Sequence, residues 1–115
     1  MSNTLWDSST TIGTDWTLTK LVLNAPLEAI VKLEAVLFWQ NSAARGIRIT
    51  RSNSSADSDI VASNETETDL AQIHTDGFGI KNYGVNTYYV WAKSKTSGKN
   101  YVGLMYTVMN KTVVS

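Results

Sequence analysis

The sequence contains no cysteine, one histidine and one proline. The absence of cysteine excludes disulfides, thiol catalysis and every metal site that needs a thiolate ligand. A chain of this size that folds in an oxidising compartment often depends on disulfides, so their absence favours folding in a cytoplasm. A single histidine also leaves zinc without an adequate set of ligands. Thiol catalysis and zinc chemistry are therefore not expected.

An excess of charge is also missing, because ten basic residues balance ten acidic ones. Nucleic-acid binding and attachment to anionic membrane surfaces both usually require a basic excess. The longest wholly apolar run, Ala35–Trp39, is far too short to cross a bilayer. No signal peptide is visible at the N-terminus. We therefore expect a soluble protein that binds no nucleic acid and does not insert into membranes.

The residues that are present favour one β-rich domain. Of the 115 residues, 43% are hydrophobic, which is enough apolar material for one core. Abundant Ser, Thr and Asn, with only 17% charged residues, are typical of strands and turns. We expect a β-sandwich domain over residues 15–115. Residues 1–14 are expected to form an arm or a linker remnant that docks through Trp6.

Alternation of apolar and polar residues predicts most of the strands. Residues 27–40 are ambiguous, because they also fit a helix that begins near Pro26. The strand is favoured, since the alternating apolar face from Ala29 to Trp39 is unbroken whereas Glu34 interrupts the helical stripe. Seven or eight short strands make a sandwich or a barrel the expected architecture. The other strands are predicted at residues 15–23, 47–50, 60–62, 69–75, 87–93 and 101–109.

Several short motifs resemble those of the C1q/TNF-like jelly roll. They are Asn24-Ala25-Pro26, the strand ending Phe38-Trp39-Gln40-Asn41-Ser42, Arg45-Gly46-Ile47-Arg48-Ile49, and the paired segments at residues 88–91, 94–98 and 101–105. Two regions depart from the family pattern. Asn86-Thr87 stands where the family often has Gly-Asp, and residues 60–80 align poorly.

The resemblance has consequences for fold, assembly and function. It implies an antiparallel jelly roll that assembles as a homotrimer and presents loops to a cell-surface receptor. Similar patterns occur in head domains of bacteriophage tail fibres. It therefore implies a virion protein, assembled in the host cytoplasm.

Residues 87–93 carry large side chains on both faces of the predicted strand. Tyr88, Val90 and Ala92 share one face, and Tyr89 and Trp91 share the other. A sheet with one face in water normally alternates apolar with polar residues, and interfaces are enriched in Tyr and Trp. We therefore predict that Tyr89 and Trp91 lie in an oligomer interface. The alternative is an aromatic pair beneath a surface loop.

Two turn-rich stretches are candidate ligand sites, because an aromatic ring can stack on a sugar while neighbouring amides and acids reach its hydroxyls. In the first stretch, the alternative is that the aromatic rings only fix their loop to the core. The first stretch offers Phe78, Asn82, Tyr83 and Asn86, and the second offers Arg51, Asn53 and Asp57.

Catalytic chemistry is not indicated. A Ser-His-Asp triad would need His74 with Asp76, which is too close in sequence, and no Gly-x-Ser-x-Gly elbow is present. The acidic stretch from Asp57 to Asp69 fits either calcium ligands or a charged edge strand. We therefore expect no enzyme, no cofactor and no catalytic or metal-binding residues.

The function expected from these observations is a non-catalytic binding module. The preferred form is a phage-type tail-fibre or receptor-binding head that contacts a bacterial surface glycan or protein. The alternatives are a structural virion protein, such as a capsid decoration or accessory protein, and a free-standing lectin-like domain that is soluble in the cytoplasm.

Overall fold

A computed structural model describes residues 2–25, 30–38, 43–67, 70–74, 80–81 and 86–109. These residues contain strands but no helix, and hence no helix that is long and apolar enough to cross a membrane. The strands are β1 (Ser2–Asp7), β2 (Thr11–Ile12), β3 (Thr17–Ala25), β4 (Ile30–Phe38), β5 (Ala44–Thr50), β6 (Ile60–Glu65), β7 (Leu70–His74), β8 (Ile80–Lys81), β9 (Asn86–Ser94), β10 (Gly98–Lys99) and β11 (Tyr101–Met109).

The longer strands pair in a nested order. The first pairs with the last, β1 with β11, and inside this pair lie β3 with β9, β4 with β7 and β5 with β6, all antiparallel. The pairs β11–β4 and β9–β5 join them into a first sheet of order β1-β11-β4-β7 and a second sheet of order β3-β9-β5-β6. In addition, β8 pairs with β4, and β2 with β10.

The core lies between these two sheets, and the alternation read from the sequence generates it. Along β4, the residues at every second position are buried, beginning at Val31 and ending at Leu37, which confirms the strand over the helix in the described part of residues 27–40. The same alternation buries Leu21 and Leu23 of β3. The predicted all-β antiparallel, sandwich-like fold is confirmed. Other members of the core are Ala35, Ile47, Ile49, Tyr88, Val90, Ala92, Val102 and Leu104.

The N-terminal segment is part of the first sheet. The predicted arm or linker remnant contains β1, which pairs with β11 from Ser2 opposite Thr107 to Asp7 opposite Val102. Leu5 packs against the core from this strand. A Ser/Thr-rich edge strand with so few apolar residues gives only a weak alternation signal, which explains why the sequence did not reveal it.

Candidate functional site

The outer face of the first sheet carries four exposed large hydrophobic side chains: Trp6, Phe38, Leu70 and Tyr101. Their exposed fractions range from 40% to 57%. Tyr101 pairs with Phe38, and Phe38 pairs with Leu70, so three of them lie in one row across β11, β4 and β7. We call these four residues the aromatic surface. Contiguous exposed apolar patches in soluble proteins commonly mark sites of interaction.

Trp6 joins this row by lying over a glycine of the neighbouring strand. Trp6 pairs with Gly103, and a Cβ atom built on Gly103 would be 2.6 Å from the indole ring. The ring centroid of Phe38 is 6.2 Å from that of Trp6, and the two rings are inclined by only 28°. The absence of a side chain at position 103 therefore lets the indole lie against the sheet beside Phe38.

Charged and polar groups border the aromatic surface. Glu34 Oε1 accepts a hydrogen bond of 3.0 Å from Gln72 Nε2. On the outer face, Glu34 lies four residues along β4 from Phe38, and Gln72 lies two residues along β7 from Leu70. Lys32 lies further along β4 on the same face. The border thus carries both signs of charge.

The outer face of the second sheet contains the two residues predicted at an oligomer interface. Trp91 is only 8% exposed, and its Nε1 donates a hydrogen bond of 2.8 Å to Thr50 Oγ1. Tyr89 is half-buried. It pairs with Val22 on one side and with Thr50 on the other, and Thr50 pairs in turn with Ile60. Val22 and Ile60, at the two ends of this row, are exposed. Trp91 is therefore covered largely by its own chain, and the role of Tyr89 and Trp91 in an interface stays a prediction.

A third feature is a cluster around Trp16, which precedes β3. The Arg48 guanidinium lies 4.1 Å from the centroid of the Trp16 ring, and Lys93 Nζ lies 4.6 Å from it. A Cβ atom on Gly46 would be 2.8 Å from Trp16, so the indole crosses the sheet directly over this glycine. Lys93 also forms an ion pair with Glu65, and this hydrogen-bonded pairing lowers the pKa of Glu65.

Beside this cluster lies an open groove of about 510 Å³, which we call the charged groove. Backbone hydrogen bonds hold its borders together: Ser94 N donates to Gly13 O at 2.9 Å, and Thr66 N donates to Arg45 O at 3.0 Å. The groove is lined by Thr14, Arg45, Glu65, Thr66, Glu67 and Lys93. None of these residues belongs to either predicted ligand stretch, because they come from four separate segments of the chain.

In the first predicted ligand stretch, Phe78, Asn82 and Tyr83 lie outside the described residues. Asn86 is the first residue of β9, and it pairs with Ala25. The backbone of Asn86 thus belongs to the second sheet.

The second predicted ligand stretch is the loop between β5 and β6. Arg51 N donates to Asp59 O, which closes the loop, and Asp59 has a positive φ of 52°. The Arg51 guanidinium lies 5.6 Å from the Tyr88 ring centroid, whereas Asp57 Oδ1 pairs with Arg48 at 2.9 Å. Asn53 is exposed. Arg51 and Asp57 therefore share a loop but contact different partners.

The residues that were weighed for catalysis or metal binding, and not predicted to serve either, give little further information. His74 ends β7, and Asp76 lies outside the described residues. Within the described ranges, no group of three or more histidine, aspartate and glutamate side chains is arranged to hold a metal ion. Two carboxylates of the acidic stretch, Asp57 and Glu65, are engaged by Arg48 and Lys93.

Comparison with known proteins identifies no family or function for this chain. The sequence matches no protein-family model, and no curated protein is significantly similar to it.

Proposed function

We propose that this chain is a non-catalytic binding module that assembles as a homotrimer. In the proposed role it is a phage-type receptor-binding head that contacts a bacterial surface glycan or protein. The observation that carries the proposal is the aromatic surface, where Trp6, Phe38, Leu70 and Tyr101 are exposed together on one sheet face. Aromatic side chains are enriched in protein interfaces relative to the rest of the surface, so this face is suited to contact with a partner.

The proposed fold is a jelly roll, and the strand order supports it. The nested pairs β1–β11, β3–β9, β4–β7 and β5–β6 are those of one long hairpin that has been rolled into two sheets. Double-sheet jelly rolls of eight strands are common in viral capsid proteins and lectins. In this fold the first and last strands are neighbours, which is how Trp6 of β1 comes to lie over Gly103 of β11.

The proposed partner of the aromatic surface is another copy of the same chain. The chain has no net charge, so identical copies do not repel one another electrostatically. Lys32 and Glu34 place both signs of charge along β4 beside the surface, which allows pairing between copies. Covering one half-exposed large hydrophobic side chain contributes on the order of 2 kcal/mol, so three aromatic rings and Leu70 supply a substantial part of an interface.

The test is the native mass in solution of the wild type and of two matched variants, measured by light scattering behind a sizing column. Three times the 12.7 kDa chain mass is expected for the wild type. Trp6→Glu introduces a charge into the aromatic surface and is expected to give monomers. Val22→Glu introduces the same charge on the outer face of the second sheet and is expected to leave the trimer intact.

Each result has a definite meaning. A wild-type monomer refutes the trimeric assembly. A trimer that survives Trp6→Glu but is lost in Val22→Glu refutes the assignment to the first sheet and favours the face of Tyr89 and Trp91. Circular dichroism of both variants establishes that they are folded. A trimer that binds nothing on a glycan array or on bacterial cells favours the structural virion protein instead.

A further inference from the structure

We propose that the charged groove is a binding site for a neutral, hydroxyl-rich saccharide ring. The proposal rests on the proposed function, since it names the place and the chemical class of the ligand that the module binds. It concerns the second sheet, whereas the aromatic surface lies on the first sheet. The two proposals therefore succeed or fail separately.

The size and construction of the groove suit a small ligand. Its volume of about 510 Å³ falls within the range of roughly 300–1,000 Å³ that is typical of ligand pockets. The segments that carry Thr14, Arg45 and Thr66 are fixed to their neighbours by the backbone hydrogen bonds from Ser94 N to Gly13 O and from Thr66 N to Arg45 O. A binding site with fixed walls loses little conformational freedom when the ligand enters.

The charge of the lining selects against ions. Arg45 and Lys93 provide two cations, and Glu65 and Glu67 provide two carboxylates, so the formal charges of the lining cancel. An anion would meet two carboxylates, and a cation would meet two basic groups. A neutral ligand meets neither repulsion, which makes it the favoured occupant.

The hydrogen-bonding groups of the lining match hydroxyls. Carboxylates only accept hydrogen bonds, ammonium and guanidinium groups only donate them, and threonine hydroxyls do both. Among the lining residues, Glu67 offers acceptors and Arg45 offers donors to sugar hydroxyls. Hydrogen bonds that involve a charged partner are about twice as strong as neutral ones. Adjacent hydroxyls on one ring therefore find both kinds of charged partner within the groove.

The Trp16 cluster holds one side of the groove in place. Lys93 contacts the Trp16 ring and pairs with Glu65, so its ammonium group is restrained by two neighbours. Trp16 in turn packs over Gly46 and contacts Arg48. This arrangement presents Lys93 and Glu65 to a ligand in a fixed geometry, which lowers the entropic cost of binding.

The test is titration of the native protein with neutral sugars, followed by NMR. The probes are glucose, galactose, rhamnose and N-acetylglucosamine at millimolar concentrations, and the signal followed is the indole N–H of Trp16, assigned with Trp16→Phe. At least one neutral sugar is expected to shift this signal in a saturable manner. Glycine and N-acetylneuraminic acid serve as the zwitterionic and anionic competitors.

Matched variants decide whether the groove is responsible. Glu67→Gln removes one carboxylate of the lining and is expected to weaken binding about tenfold, as expected for loss of a charge-assisted hydrogen bond. Asp59→Asn makes the same change in an exposed loop residue outside the groove and is expected to bind like the wild type. The native mass is measured on the same samples, so that a loss of assembly is seen separately.

Three results would overturn the inference. In the first, none of the four sugars shifts the signal although the trimer is present, which leaves the assembly proposal standing. In the second, Glu67→Gln and Asp59→Asn bind a sugar as well as the wild type does. In the third, glycine or N-acetylneuraminic acid binds more tightly than every neutral sugar.

Discussion

Replacing Asp7 by asparagine is expected to destabilise the fold strongly, although Asp7 lies at the end of an edge strand. Asp7 is only 5% exposed, and it accepts hydrogen bonds from Ser9 N and Lys20 N at 2.9 Å and from Thr10 N at 3.2 Å. The hydroxyls of Ser9 and Thr10 also donate to it. One carboxylate thereby ties β1 to the following turn and to β3.

The pKa of Asp7 gives the magnitude. Burial by itself raises the pKa, but the hydrogen bonds from Thr10, Lys20 and Ser9 outweigh it and lower the pKa from 3.8 to about 2. A shift of this size corresponds to about 2 kcal/mol of stabilisation of the ionised form in the folded state. An asparagine side chain has only one acceptor oxygen, and its NH2 group would face the N–H and O–H donors that now bind the carboxylate. We therefore expect a loss of about 2–3 kcal/mol at neutral pH.

The sign of the pH dependence follows from the lowered pKa. The stabilisation by Asp7 is complete above the pKa of the unfolded chain, near 3.8, and it is lost as the pH falls to about 2. When the free energy of unfolding is measured as a function of pH, the difference between the wild type and Asp7→Asn is therefore expected to shrink as the pH falls from 5 to 2. The lowered pKa of Glu65 acts equally in both proteins and cancels in the difference.

The assay is urea unfolding followed by tryptophan fluorescence, at one fixed protein concentration because the proposed assembly would make stability depend on concentration. The control is Asp15→Asn, since Asp15 is exposed and its side chain accepts a hydrogen bond from Trp16 N, its immediate neighbour. The control is expected to change the free energy of unfolding by less than about 0.5 kcal/mol. Equal stability of Asp7→Asn and wild type at pH 7, or a difference that does not shrink towards pH 2, would refute the reasoning.

Three further substitutions test the glycines and the buried indole. Gly103→Ala is expected to displace the exposed Trp6 ring, which weakens self-association in sedimentation experiments while it changes stability by less than about 1 kcal/mol. Gly46→Ala pushes against Trp16, which is held by its cationic neighbours, so a loss of about 1–2 kcal/mol is expected in urea unfolding. Trp91→Phe leaves a buried hydroxyl on β5 without its indole donor and is expected to lower the unfolding free energy by about 1–3 kcal/mol, again in urea.

The sequence predicts the core strands because each of them has one apolar face. The predicted strand at residues 101–109 has the observed bounds of β11, and the alternation in residues 27–40 correctly favours β4 over a helix. Burial at every second position is a local property of the chain, so it is readable without knowledge of the neighbouring strands. The two-residue strands β2 and β10 have too few residues to show any period.

The aromatic surface was not predictable in the same way. Phe38 and Tyr101 are separated by more than half of the sequence, and only the pairing of β4 with β11 brings them together. For Trp91, the sequence indicates the face of the strand but not what covers the side chain. The sequence indicates that it lies on the second apolar face of its strand, but only the fold reveals that Thr50 binds its indole from the neighbouring strand. Which surfaces meet depends on long-range register, and a local pattern does not encode it.

The nested strand order has a consequence for the synthesis of the protein on the ribosome. In the second sheet, β5 needs β9 as its neighbour, and in the first sheet β1 and β4 are joined only through β11. Pairings between distant segments form slowly, and they require both segments to have left the ribosome. The first sheet is therefore completed only after residues 101–109 emerge. Until then, no strand holds Trp6 of β1 beside Phe38 of β4, and a growing chain lacks the surface with which we expect finished copies to associate.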